Sequence, residues 1–146
     1  MIARPVLGRT DALAWARAER IKRRAEEVAQ RANPDRAHIA RAGTEGQPSD
    51  GDVQLANLND SGERHDTALW TAVAGITHRG DSAALVGSPE TVAAALLAYY
   101  DLGIDRFIIH GFDSYEDVAA YGRDLIPLVR QEAEILRAGV TLPVVA

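Results

Sequence analysis

Ala83-Ala84-Leu85-Val86, Gly87-Ser88-Pro89-Glu90 and, further on, Arg106-Phe107-Ile108-Ile109-His110 decide how this chain is read. The first run is short and apolar and suits a buried strand. The second is a helix start. Ser88 can cap, Pro89 fits the first helical position, and Glu90 favours the positive end of the helix dipole. Val92, Leu96 and Tyr99 then share one face, and Gly103 supplies the left-handed residue that ends a helix. The third run, β-branched and aromatic, is a second strand. A strand, a helix of about 15 residues and a strand make a parallel, right-handed βαβ crossover. Such pieces suit an α/β barrel or an open doubly wound sheet.

Outward from this unit, Gly111-Phe112 turns the chain and Asp113 or Ser114 caps a third helix carrying Val118, Tyr121, Leu125 and Val129. Pro127 is expected to kink that helix or start a new turn. Upstream, Met1–Gly8 reads as the tail of a strand, although Pro5 cannot donate to a ladder. Thr10 or Asp11 can cap a helix whose apolar stripe is Ala14, Ala18, Ile21, Ala25 and Val28. Its many arginines and glutamates read as a solvated face. Residues 30–67 hold several glycines and prolines and little periodicity. They are expected to be a flexible loop, either a lid or an insert without function. Ala68–Ile76 reads as a short helix or turn. The whole of 1–146 is taken as one domain.

Bulk properties narrow the function. The 146 residues are 47% hydrophobic and 25% charged, with 16 basic against 21 acidic side chains and a formal charge of -5. That balance argues against nucleic acid as a partner. There is no cysteine, so disulfides, thiolate metal sites and cysteine nucleophiles are absent, which fits a cytoplasmic protein. No apolar run approaches the roughly 20 residues of a membrane span, so no membrane partner is expected. The histidines at 38, 65, 78 and 110 lack metal-ligand spacing, so no metal site is expected.

Sites in parallel α/β folds gather at the carboxyl ends of strands. Gly87 and Ser88 meet that rule and could hold an anion at the helix start, as in an α/β domain that binds a phosphorylated ligand, or simply cap it. His110, Gly111 and Phe112 meet it too. His110 is either a proton donor and acceptor or a bystander bonded to backbone. Phe112 either walls an aromatic ligand or packs in the core. Arg79, on a polar loop, could pair bidentately with a sulfonate, phosphate or carboxylate, or remain an exposed charge.

From Trp70 onward the chain resembles the luciferase-like flavin-dependent monooxygenases, the alkanesulfonate monooxygenase branch most of all. Arg79-Gly80, Ala84 through Ala93, Tyr100 through Ile108, Gly111-Phe112 and Tyr121 through Leu128 carry the resemblance. Gly8 through Trp15 resembles the family's passage from strand 6 into helix 6. The resemblance implies the C-terminal part of a (β/α)8 TIM barrel, strands 7–8 and helices 6–8, with 30–67 as a lid-like insertion. It implies reduced FMN from a separate flavin reductase, molecular oxygen, and a small organic substrate. In the alkanesulfonate branch the reaction releases sulfite and an aldehyde. Arg79 would help close the lid and, with His110, serve catalysis. Gly87, Ser88, Gly111 and Phe112 would border the cofactor. A whole barrel takes about 250 residues, so the chain is expected to be a fragment. It would be a homo-oligomer, be completed by a complementing N-terminal chain, or be non-catalytic. The family's arginine and histidine at the end of strand 6 fall on Ile2 and Arg4, or on Ala3 and Pro5.

Overall fold

A computed structural model of the chain describes residues 1–31, 58, 61–77 and 83–139. The N-terminal strand is the centre of the fold. It runs as β1 (Ile2–Ala3) and β2 (Pro5–Leu7), interrupted at Arg4. Helix α1 (Asp11–Arg31) follows, then β3 (Arg64–His65), β4 (Leu69–Trp70) and helix α2 (Ala72–Thr77). Next come β5 (Ala84–Gly87), α3 (Pro89–Asp101), β6 (Ile108–Ile109), α4 (Ser114–Ala120), a π-helical turn (Tyr121–Leu125) and α5 (Ile126–Arg137).

β5 runs parallel to β2, and β6 runs parallel to β1. Carbonyls of successive residues in a strand point to opposite edges. Met1 and Ala3 accept from Ile108 and His110, at 2.9 and 3.2 Å, whereas Arg4 accepts from Leu85 at 3.1 Å. The N-terminal strand therefore lies between β6 and β5. β4 pairs antiparallel with the far edge of β5, and β3 pairs antiparallel with β4.

This order corrects the expected βαβ unit. The segments expected at 83–86 and 106–110 are parallel strands, but they are not neighbours, and their ladders fall in separate sheets of four and two strands. In a barrel sector β5 would sit between the other two. Here the antiparallel pairing of Leu69 with Leu85 and of Trp70 with Ala84 takes the edge of β5 that β6 would use. β6 pairs at the edge of β1 instead.

The helices also depart from a barrel, which keeps them all on one side. Ala3, Leu7 and Leu85 pack with Val92, Ala93 and Leu96 of α3 and with Tyr121 and Leu125. Val6, Ala84, Val86 and Trp70 pack on the other face, with Ala14 and Ala18 of α1 and Ala72 and Val73 of α2. The crossover from β2 to β5 moves one way along the sheet, and the crossover from β5 to β6 moves back. Crossovers of one hand running in opposite directions deliver their helices to opposite faces. The described residues thus form an open, doubly wound layer, one of the two architectures the elements allow.

Local signals explain the element ends. Thr10 Oγ1 accepts from Leu13 N at 3.3 Å and caps α1. Ser88 accepts from Thr91 N, with Pro89 opening α3. Gly103 has φ +93° just past that helix. Asp113 caps α4 by accepting from Tyr115 N and Glu116 N. Pro127 stands in the first turn of α5, directly after the π-helical turn, where a missing backbone donor is tolerated. Val118, expected inside, is exposed. Asp117 takes the buried position one turn before Tyr121. Pro5 is tolerated because its nitrogen faces the β6 side, beyond the last rung of that strand. Its carbonyl there accepts from Tyr121 Oη at 2.5 Å.

Candidate functional site

The three parallel strands release their chains at the same end of the sheet, through Gly8, through Gly87-Ser88 and through His110-Gly111-Phe112. Gly8 N donates to Gly87 O at 3.2 Å, so these two ends are level. His110 N donates to Ala3 O, so the third end stops about four residues lower. Among the described residues, the sequence-expected Gly87 and Ser88 therefore lie on one side of the N-terminal strand and His110 and Gly111 on the other.

At the first group, Ser88 N donates to Asp11 Oδ1 at 2.6 Å. A Cβ on Gly87 would lie 2.7 Å from the Thr91 side chain and 3.1 Å from Asp11 Oδ1. Asp11 thus reaches across from the start of α1 and places a carboxylate where a helix N-terminus would attract an anion. The Ser88 N–H, aided by Thr91, holds the Asp11 carboxyl below its ordinary range against the opposing effect of burial.

At the second group, Asp117 is 1% exposed. It pairs with Arg17 of α1 at 2.5 Å, and its second oxygen accepts from Asp113 N at 2.8 Å. Arg17 also donates to Leu7 O at 3.5 Å. Any side chain on Gly111 would collide with the Asp117 carboxylate, 2.1 Å away. Beside them, burial and the Asp117 charge push the Tyr121 phenol well above its usual range. His110 is half-buried. Phe112 packs against the Val6–Trp70 cluster with the Arg4 guanidinium 5.5 Å from its ring centre.

Arg79 lies outside the described residues, as do 32–57 and 59–60 of the expected lid. The described end of that segment is the β3–β4 hairpin. Lys22 holds it through Glu63 at 2.5 Å, Glu19 through Arg64 at 2.8 Å, and the Arg64 guanidinium stacks 4.0 Å above Trp15. Among the described residues, no three His, Asp or Glu side chains gather to hold a metal ion. No described helix is long and apolar enough to cross a membrane.

Sequence reasoning missed Asp11, Arg17, Asp117 and Tyr121 as site residues. Asp117 left a trace: it stands on the 117–121–125 stripe, where a charge needs a buried partner. Asp11 left none, because its partner lies 77 residues away.

The described residues define an α/β protein whose parallel strand ends feed helix starts, with its polar cluster at the carboxyl edge of the sheet. The chain belongs to the luciferase-like monooxygenases, whose family model matches residues 3–106. These are oxidoreductases built on TIM barrels, and they commonly use a reduced flavin. The described strand ends do not by themselves fit a flavin phosphate. Asp11 and Asp113 already take the amides at the starts of α3 and α4, and Glu90, Glu116 and Asp117 add further negative charge.

Proposed function

We propose that this chain is the C-terminal portion of an FMNH2-dependent monooxygenase of the alkanesulfonate type. In this reading it is a cytoplasmic protein that works with a flavin reductase on a small sulfonate, and the flavin phosphate is held by residues other than those described. The family match over 3–106 carries the reading. The chain's own contribution is Arg79, to pair with an anionic substrate, and His110, at a strand end, to hold or pass a proton. Bound flavin would supply the oxygenation chemistry.

The test is a titration with reduced FMN under anaerobic conditions, for the chain alone and mixed with a protein supplying the earlier strands of a homologous barrel. Flavin binding in the mixture, followed by sulfite release from an alkanesulfonate in air, is the expected result. No binding in either arm would overturn the reading. A non-catalytic role is the second reading, favoured by the Asp11 and Asp117 carboxylates that fill the strand ends. It predicts that sulfite release stays at background even when flavin binds.

A further inference from the structure

Completing a barrel needs two strand edges that this chain already uses. In barrel order the N-terminal strand, β5 and β6 are consecutive, and the outer edge of the N-terminal strand receives the strand before it. Here β6 holds that outer edge itself, with Ile2 paired to Ile108 and Ala3 to Ile109. The far edge of β5, where β6 belongs in that order, is held by β4 through Leu69–Leu85 and Trp70–Ala84. Neither exchange is local. A right-handed crossover brings β6 to the far side of β5 only if α3 leaves its own face of the sheet for the face that α1 covers. Val92, Ala93 and Leu96 of α3 are packed in the core against Leu7, Leu85 and Leu125, so moving the helix opens that cluster. Releasing β4 withdraws Trp70, 0% exposed, from the cluster on the other face. An opening that breaks both clusters is close to global unfolding.

We propose that the open layer is a self-blocked form of the chain, which accepts the missing barrel strands only after it unfolds, and that the β3–β4 hairpin is the block on β5. The inference rests on the fragment reading given under the proposed function and adds the route of assembly to it. The hairpin is fastened for this role from outside the sheet. Lys22 and Glu19 of α1 pair with its Glu63 and Arg64, and the Arg64 guanidinium stacks on Trp15. The chain has no cysteine, so a single designed disulfide can report on β4. Val86 N donates to Ala68 O at 2.8 Å. The next pair along, Leu69 and Leu85, is therefore a non-hydrogen-bonded one, whose closely spaced Cα atoms suit a disulfide.

The test mixes the full chain, or its Leu69→Cys/Leu85→Cys variant, with a second chain carrying strands 1–5 of a homologous barrel. The chains are either mixed folded or co-refolded from urea, and light scattering follows the mass of the complex with time. Folded wild type should combine no faster than it unfolds, whatever the partner concentration, with the unfolding rate taken from urea jumps extrapolated to water. The co-refolded mixture should form complex about a hundredfold or more faster. The oxidised variant should give no complex by either route, and reduction should restore wild-type behaviour. Circular dichroism checks that the variant is folded in both redox states. Folded chains that combine faster than wild type unfolds would overturn the proposal while leaving the fragment reading intact. An oxidised variant that combines like the reduced one would do the same. No complex even after co-refolding would overturn the fragment reading, and the proposal with it.

Discussion

Replacing Asp117 with alanine removes the anion that holds α1, α4 and the β2 end together. Arg17 would lose its carboxylate and keep the long contact to Leu7 O, and Asp113 N would lose its acceptor. Breaking one side of a buried pair costs about 3–5 kcal/mol, because the remaining charge stays desolvated. Arg17 is 23% exposed, so part of that penalty is relieved by water. The expected loss is about 3 kcal/mol, roughly a 150-fold drop in the folding equilibrium. For a chain of this size that is a melting point lower by about 6–12 °C. Urea unfolding followed by the fluorescence of Trp70, which is fully buried, reads the change as a shifted midpoint at constant slope. Arg17→Met should cost at least as much, since it leaves the Asp117 carboxylate, 1% exposed, without its cation. The pair Arg17→Met/Asp117→Leu should recover most of the loss, because no charge is left buried. A cost below about 1 kcal/mol for Asp117→Ala would refute the reasoning. So would single effects that simply add in a double-mutant cycle.

Gly111→Ala places a methyl on the Asp117 carboxylate, 2.1 Å away, and should lower the urea midpoint nearly as far as Asp117→Ala does. If Gly111→Ala were neutral, the close approach would be wrong. The Asp11 carboxyl titrates below its unfolded value, so its contribution is present above the unfolded pKa and is lost as pH falls through the folded one. Wild type should therefore lose an increment of stability below about pH 4 that Asp11→Asn lacks, read from urea midpoints at neutral and acid pH. Equal acid sensitivity of the two proteins would count against the Ser88 contact. Tyr121→Phe gives up the bond to Pro5 O and should cost about 1 kcal/mol. In an ultraviolet titration of the four tyrosines, the Tyr121 phenol should ionise last, and only as the fold is lost.

Helix starts and stops were legible because each is written within a few residues. Ser88 with Pro89, Thr10, Asp113 and Gly103 act on their own turn of chain. The apolar run at 83–86 was equally local and marked a buried strand, whose Leu85 and Val86 the structure turns to opposite faces. Barrel and open sheet differ in none of these signals. They differ in which edge of β5 is free when β6 arrives, and that is decided by Leu69-Trp70, a strand too short to leave a periodic trace. Those two residues are held in place by contacts distant in sequence: Trp70 buried against Ala14 and Ala18, and the hairpin fastened to α1 through Glu63 and Arg64. The candidate site follows the same rule. Glycines and a capping serine at strand ends mark where a ligand could approach, and Gly87 and Gly111 do stand where space is tight. What fills that space is decided by α1, which lies across one face of the sheet and carries Asp11 to Ser88 and Arg17 to Asp117. The edge taken by β4 and the charges closing the strand ends both depend on α1: the β3–β4 hairpin is fastened to it through Glu63 and Arg64, and it carries Asp11 and Arg17.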